Sequence, residues 1–557
     1  MKNIKLIIFS AVFLTALSCT GDFDEINTNN QGFESSELSA KFFITDAQFQ
    51  LYAPARFPYW RAQLIHTDRY AGHFTFGHNG SWWSDGLGYS YNGGYTDAAY
   101  GWLSGYYGKV QAFIDITKAD AEFDNEYLYS MGLIMRSLYY QMYTDTFGMV
   151  PYSEAGVEGI LTPKFDSQMD VYKNVIADLD EAIAIIGDTE RTGTGVDDVA
   201  ENDIYCGGDL QKWKKLANTL KLRMAMRALN APGEDFATSA INEALSAALL
   251  DMNSGSVLMI KDVKIGQWGS CAYGDVWHSF GRGSDWTMGE TLINELKSNS
   301  DPRLAAYASP VIGGEFTFED DGSEPEFSQR LNFIIATLDK SEAIYTTSVA
   351  GAITTINVEP GQFIGQPTRL NGDIKPMVKF DMFSSPSQLV TQKTGQGQEA
   401  YPEIILTSAE AYFLQAEAAV RGIGSGDAQS LYENGIMEAM KLWNVSDGDI
   451  AVYIADQDAA SISAGTLDEK LEKIATQRWL LSYTDGFEAW AVVRDTGYPT
   501  ELYQGVSNSD IFELGTLNGD YPQRLRYGSG AQTNPNYPAA ISAQGEDVQG
   551  TKLWFAK

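Results

Sequence analysis

The chain has 557 residues, with 73 Asp and Glu against 39 Lys and Arg, for a formal net charge of −34. So acidic a chain argues against a nucleic-acid groove, which needs a concentrated basic face, and the excess acid reads as a solvated surface. No Pro/Gly/Ser linker or low-complexity tract divides it, so it reads as one large globular unit with long insertions.

Met1 to Lys5 is basic, Leu6 to Leu17 is apolar apart from Ser10 and Thr15, and Ser18-Cys19 closes the run. Residues 1–18 therefore read as a secretory signal, too short to span a bilayer. Without Lys2 and Lys5 the remaining 19–557 domain has 37 basic and 73 acidic residues, or −36. Cys19 after a small residue resembles a bacterial lipobox, although Leu17 stands where a small residue is commoner, and Asp22, Asp24 and Glu25 follow. Several acyl chains on Cys19 would anchor the chain stably. The other cysteines, Cys206 and Cys271, lie 65 residues apart; an oxidising compartment would allow them to pair, and the reading preferred over that is two independent buried thiols. No C-x-x-C zinc spacing exists.

Helical spacing predicts helices over Leu38–Leu51, Phe57–Tyr70 and Ala98–Thr117, the last with Trp102, Tyr106, Val110, Phe113 and Thr117 on one stripe. Between them, residues 72–95 show no steady period and mix seven glycines with Phe74, Phe76, Trp82, Trp83, Tyr89 and Tyr91. A long aperiodic run inside a compact protein is functional or disordered, and this aromatic content argues against disorder. Helices follow at Asn125–Thr146, Met169–Ile186, Leu210–Leu229 and Phe236–Leu250. The pattern breaks again over 256–286, where glycines alternate with Trp268, Tyr273 and Trp277, and Trp286–Lys297 reads as helical. Residues 310–400 form a third insertion, with short β-branched pieces and turns at Gly313-Gly314, Asp321-Gly322 and Asn371-Gly372 that predict small hairpins.

Thr407 to Gly422 carries every signal for one helix: Thr407 and Glu410 as a capping box, Gly422 as the stop, and an alanine-rich stripe of Ala409, Tyr412, Phe413, Ala416 and Val420. Asp427 then caps a second helix with Tyr432, Ile436, Met440 and Trp443 on one face, giving a helix hairpin of roughly tetratricopeptide size. Leu467–Tyr483 and Gly486–Val493 are helical as well.

The run Leu406-Thr-Ser-Ala-Glu-Ala-Tyr-Phe-Leu-Gln-Ala-Glu-Ala418, with Ile474-Ala-Thr-Gln-Arg-Trp479 and Gly486-Phe-Glu-Ala-Trp490, resembles the SusD/RagB family of outer-membrane nutrient-binding lipoproteins. Phe147-Gly148-Met149-Val150-Pro151-Tyr152, Asp301-Pro302-Arg303 and Arg494-Asp495-Thr496-Gly497-Tyr498-Pro499 extend the resemblance, as does Arg524 with Tyr527. Asp495 replaces a second arginine of the family pattern, and Gly528-Ser529-Gly530 replaces its Pro-and-Glu continuation. The resemblance implies a mainly α, SusD-like helical scaffold with tetratricopeptide-like pairs, long loops and a few β-hairpins. It also implies a glycan site on loop aromatics, docking on a SusC-like TonB-dependent transporter, and an outer-membrane, lipid-anchored place on the extracellular face.

No H-E-x-x-H, G-x-S-x-G or P-loop is present, and Gly422 to Gly426 joins two helices instead of following a strand. No cofactor is expected. His66, His73 and His78 read as loop and core histidines, not metal ligands, because a glycine-rich loop gives no rigid frame. The aromatic loops point elsewhere: a pyranose packs its C–H face on an indole and offers hydroxyls to short polar groups. Trp82, Trp83 and Tyr89 beside Asn79 and Asp85, Trp277 and Trp286 beside Arg282, and Arg369 in a turn are the candidate glycan-binding residues. Three functions compete: a glycan-binding transport lipoprotein with no enzyme activity, a secreted carbohydrate-active enzyme, and a helical scaffold that binds only protein. The negative charge argues for a neutral glucan over a polyanionic glycan.

Overall fold

The computed structural model describes residues 38–52, 56–76, 89, 91–261, 272–279, 286–374, 377–393 and 400–556. The N-terminal half is a run of helices: α1 (Lys41–Tyr52), α2 (Arg56–Tyr59, a π-helical Trp60–Thr67 and Asp68–Tyr70 in succession), α3 (Gly93–Thr117), α4 (Glu126–Phe147), α5 (Gln168–Ile186), α6 (Leu210–Ala228) and α7 (Ala237–Leu245). Side-chain caps fix three of their starts: Asn125 accepts from the Tyr127 and Leu128 N–H groups, Ser167 from Asp170 and Asp209 from Lys212. Neighbours in sequence pack as neighbours in space, α3 on α4, α4 on α5, α5 on α6 and α6 on α7. No helix among the described residues is long and apolar enough to cross a membrane.

The C-terminal half contributes α11 (Ser408–Val420), α12 (Ala428–Lys441), α13 (Leu467–Leu481) and α14 (Gly486–Thr496). Thr407 caps α11 by accepting from the Glu410 N–H at 3.0 Å, and Gly422 takes the left-handed φ of +74° that stops it. The capping box expected there is only half formed, because the Glu410 side chain turns into the core to meet Arg223. A complete box stands at Thr466 and Glu469. Ala409, Phe413 and Ala416 bury one face of α11 against α12, where a Cβ on Gly435 would come within 2.5 Å of the Phe413 ring. The opposite face is buried too, with Ala411, Leu414 and Ala418 in the main core.

Buried ion pairs tie these helices together. Arg223 on α6 forks onto Glu410 of α11, with Nε to Oε1 at 2.7 Å. Arg227, one turn on, reaches Asp145 of α4 at 2.5 Å and also holds Glu488 of α14. Arg478 of α13 meets Glu417 of α11 at 3.1 Å. Asp145 further accepts from Tyr172 at 2.5 Å and Gln141 at 2.8 Å. Arg494 stacks on Trp490 at 3.6 Å and donates to the Asp145 carbonyl at 2.6 Å. The Arg223, Arg227 and Arg478 charges are thus each paired with a carboxylate, and Arg494 is hydrogen-bonded to backbone carbonyls, as burial requires.

Three expectations are corrected. Trp286–Met288 is a strand, β3, and the helix predicted from Trp286 begins only at Glu290 as α9 (Glu290–Ser298). Within the 256–286 stretch, Val257–Met259 is a strand, β2, paired with Glu403–Leu406, β7, and Tyr273–Ser279 is a helix, α8. The 310–400 insertion does hold hairpin strands, β4 (Gly314–Glu319), β5 (Tyr345–Ala350) and β6 (Ile353–Val358) in the order β4-β6-β5, but also an unforeseen helix, α10 (Phe327–Lys340). Leu331, Ile334 and Leu338 of α10 close a second core with Phe318, Ile356 and Val358. Cys206 is a half-buried free thiol, and Cys271 lies outside the described residues.

Candidate functional site

Phe74–Phe76, β1, pairs antiparallel with β3 in the register Phe74↔Met288, Thr75↔Thr287, Phe76↔Trp286. The far side of β3 is held as well: Met288 N–H donates to the Ser384 carbonyl at 2.8 Å and Gln366 N–H to the Met288 carbonyl at 2.9 Å. Gly289 must be glycine, since a Cβ there would sit 1.9 Å from the Gly72 carbonyl oxygen. The first aromatic loop leaves after Phe76 and the second returns at Trp286, and these two residues face each other. The ladder therefore brings these two residues, which flank 77–88 and 280–285, within one cross-strand spacing, about 5 Å.

Trp286 itself is buried, at 1% exposure, so it is not the solvent-facing platform expected of it. The cause is its place in a strand flanked on both sides instead of on a helix surface. Trp277, on α8, is half-buried, with its ring 6.1 Å from Trp286 and 6.1 Å from Phe380. Trp82, Trp83, Asn79, Asp85 and Arg282 lie outside the described residues.

Tyr89 and Arg369 do meet, but in the interior. Tyr89 is 3% exposed, with the Arg369 guanidinium carbon 4.2 Å and that of Arg69 4.9 Å from its ring centre. Arg369 holds the left-handed φ of +64°, donates from Nη1 to the carbonyls of Gly519 at 2.7 Å and Asp520 at 3.1 Å, and is 4% exposed. Burial pushes its pKa down, and burial raises the Tyr89 phenol against the opposing pull of Arg369 and Arg69. As buried groups they clamp the end of the first loop to the 367–369 and 514–520 segments, and neither offers an open platform. His66 and His73 are buried; desolvation brings them down to about 4 and about 3, so both are neutral at pH 7.

The clamp floors a cleft of about 290 Å³ between α10, the start of α9 and residues 501–512. Phe333, Lys340, Glu290, Glu501 and Phe512 line it, and none was singled out from sequence. A signal existed: Leu331, Ile334 and Leu338 recur at i, i+3 and i+7 and mark α10.

A family model described as SusD-like, starch-binding and associating with the outer membrane matches residues 36–527. The chain belongs to the SusD-like family. Among solved structures, a chitin-binding protein is 24% identical with a TM-score of 0.70, covering 93% of this chain and 100% of its own. A SusD-like protein from Bacteroides thetaiotaomicron is 22% identical with a TM-score of 0.69, over 93% of this chain and 98% of its own. A SusD homologue from Bacteroides vulgatus is 23% identical with a TM-score of 0.66, over 90% and 93%. At these identities the likeness shows the SusD-like helical fold. No curated protein matches the sequence. The SusD-like sequence elements serve the interior: Arg303 is fully buried and bridges Asp301 at 2.6 Å and Gln477 at 2.8 Å, and Gly148 leaves room for the Gln544 side chain.

Proposed function

We propose that this SusD-like protein captures a neutral glucan at the cell surface without turning it over, and delivers it to a SusC-like TonB-dependent transporter. The pairing of Phe76 with Trp286 carries this reading, because a residue ahead of Trp82 and Trp83 in the first aromatic segment and a residue beyond Arg282 in the second are joined on one ladder. Trp82 or Trp83 is the main platform, Asn79, Asp85 and Arg282 supply hydroxyl partners, and Trp277 is a flanking indole. Family membership supports binding of carbohydrate at the outer membrane. Acylation of Cys19 supplies the anchor, on the extracellular face.

Calorimetry of the mature chain carrying Cys19→Ala against neutral glucans and a uronate polymer tests the binding site. A covered indole contributes roughly 1–3 kcal/mol, so Trp82→Ala or Trp83→Ala should weaken binding about 5- to 150-fold with far-UV circular dichroism unchanged. Two folded variants binding as tightly as wild type would move the site elsewhere. Release of glycan fragments on incubation would select an enzyme. Cys19→Ala should leave the membrane fraction, and a mild-detergent pull-down from the native host should recover a large outer-membrane barrel.

A further inference from the structure

We propose that the cleft floored by the Tyr89–Arg369 clamp is a second saccharide subsite, accepting a neutral sugar unit from the same chain that the aromatic loops hold. The inference rests on the glycan-binding reading and adds where the chain runs next. At about 290 Å³ the cleft lies at the small end of ligand pockets, suited to a ring-sized unit and not to a polymer.

Its walls divide by chemistry. Phe333 and Phe512, half-buried with ring centres 5.4 Å apart at 87°, make an apolar wall for a sugar's C–H face. Glu290, Glu501 and Thr337 make a wall of hydroxyl acceptors, with Lys340 as donor. Lys340 stands 3.3 Å from Glu290, whose side chain is 17% exposed. Lys340, Arg369 and the neighbouring Arg69 are offset by Glu290 and Glu501 in the cleft and by Glu513 and Asp520 beside the arginines, leaving no net positive field, so a phosphate or uronate gains nothing here while a polyol finds acceptors on one side and carbon on the other. The floor is fixed in advance, because Arg369 is already bonded to the Gly519 and Asp520 carbonyls; little ordering is left for binding to impose.

The cleft and the ladder lie on one continuous segment, β3 running through Gly289 into α9. β3 starts at Trp286 opposite Phe76, and Glu290, in the cleft, follows four residues later. At roughly 3.3 Å per extended residue the two places lie about 13 Å apart along that direction, a distance that only an oligosaccharide can bridge.

Glu501→Gln, at an exposed residue, and Phe333→Ala are compared with wild type by calorimetry. The probes are maltooligosaccharides, cellooligosaccharides and β-1,3-linked glucooligosaccharides of increasing length, with thermal melting as the fold control. Wild-type affinity should climb with length, and each variant should lose about 5- to 30-fold on the longest probe bound while matching wild type on the shortest. If both folded variants follow the wild-type length dependence, the subsite is refuted and the loop site stands. If wild type binds no neutral oligosaccharide, the glycan reading falls and the subsite with it.

Discussion

Three central arginines and Arg369 at the ladder-and-cleft face are held in opposite ways, with Arg494 of α14, on the Trp490 ring and backbone carbonyls, sharing the pattern of the face. In the centre, Arg223, Arg227 and Arg478 each meet a buried carboxylate on another helix, Glu410, Asp145, Glu488 or Glu417. At the face, Arg369 stacks on Tyr89 and gives its N–H groups to backbone carbonyls. A buried ion pair needs its partner at one place and one angle, so it locks helix against helix. A guanidinium on a ring and on carbonyls fixes a loop end yet leaves nearby carboxylates, such as Glu501, to solvent or a ligand. Directional buried ion pairs thus stand behind the cleft, and an exposed carboxylate, Glu501, at its rim.

The sharpest way to break that contrast is Arg227→Met. It leaves Asp145 without its ion-pair partner in the core and Glu488 with only the longer contacts to Arg223 at 3.6 Å and Arg478 at 3.8 Å, and a loss of about 3–5 kcal/mol is expected in urea unfolding. A change under about 1 kcal/mol would mean that the lattice does not hold the helices.

A smaller effect is expected at Asp485, the cap of α14, which adjoins the lattice but makes no salt bridge among the described residues. Burial, reinforced by the Glu488 carboxylate, pushes Asp485 up to about 8. The folded state keeps a proton that the unfolded chain loses near pH 4, so this group's contribution is complete at lower pH and drains away as pH rises toward 8. Asp485→Asn keeps an acceptor for the Glu488 N–H and removes the titration. Between about pH 5.5 and 7.5 its stability should fall less steeply than that of wild type, by up to about 1.4 kcal/mol per pH unit. Parallel pH profiles of the urea midpoint would refute the assignment.

The smallest effect belongs to the face. Tyr89→Phe removes a 3.4 Å hydrogen bond to the Arg69 carbonyl and keeps the ring between the guanidiniums. Unfolding free energy should change by less than about 1 kcal/mol, whereas a larger loss would place the clamp in the hydroxyl.

Much of the helical scaffold was legible, for a local reason. Asn125, Asp427 and Thr407 cap the helices whose starts they mark, and Tyr432, Ile436 and Met440 bury the face their spacing predicts. Trp286 was misread because Trp286 to Lys297 has helical spacing, yet cross-strand pairing with a segment some 210 residues earlier outweighs local preference for its first three residues. Tyr89 and Arg369, expected as ligand contacts, are instead buried against each other, because their packing partners come from segments far apart in the chain.

What the sequence determined by itself is what lies within one helical turn: caps, stops, amphipathic faces and the aromatic richness of the loops, since these follow from backbone hydrogen bonding and side-chain period. It also carried the SusD-like motifs. What only the tertiary structure decided is which charges are buried together, that both faces of α11 are interior, and that Phe333, Glu290, Glu501 and Phe512 border one cleft. Those facts depend on contacts between residues hundreds of positions apart, such as Arg227 with Glu488 or Tyr89 with Arg369. No local period encodes them, because the free energy that selects them is gained only when the elements pack.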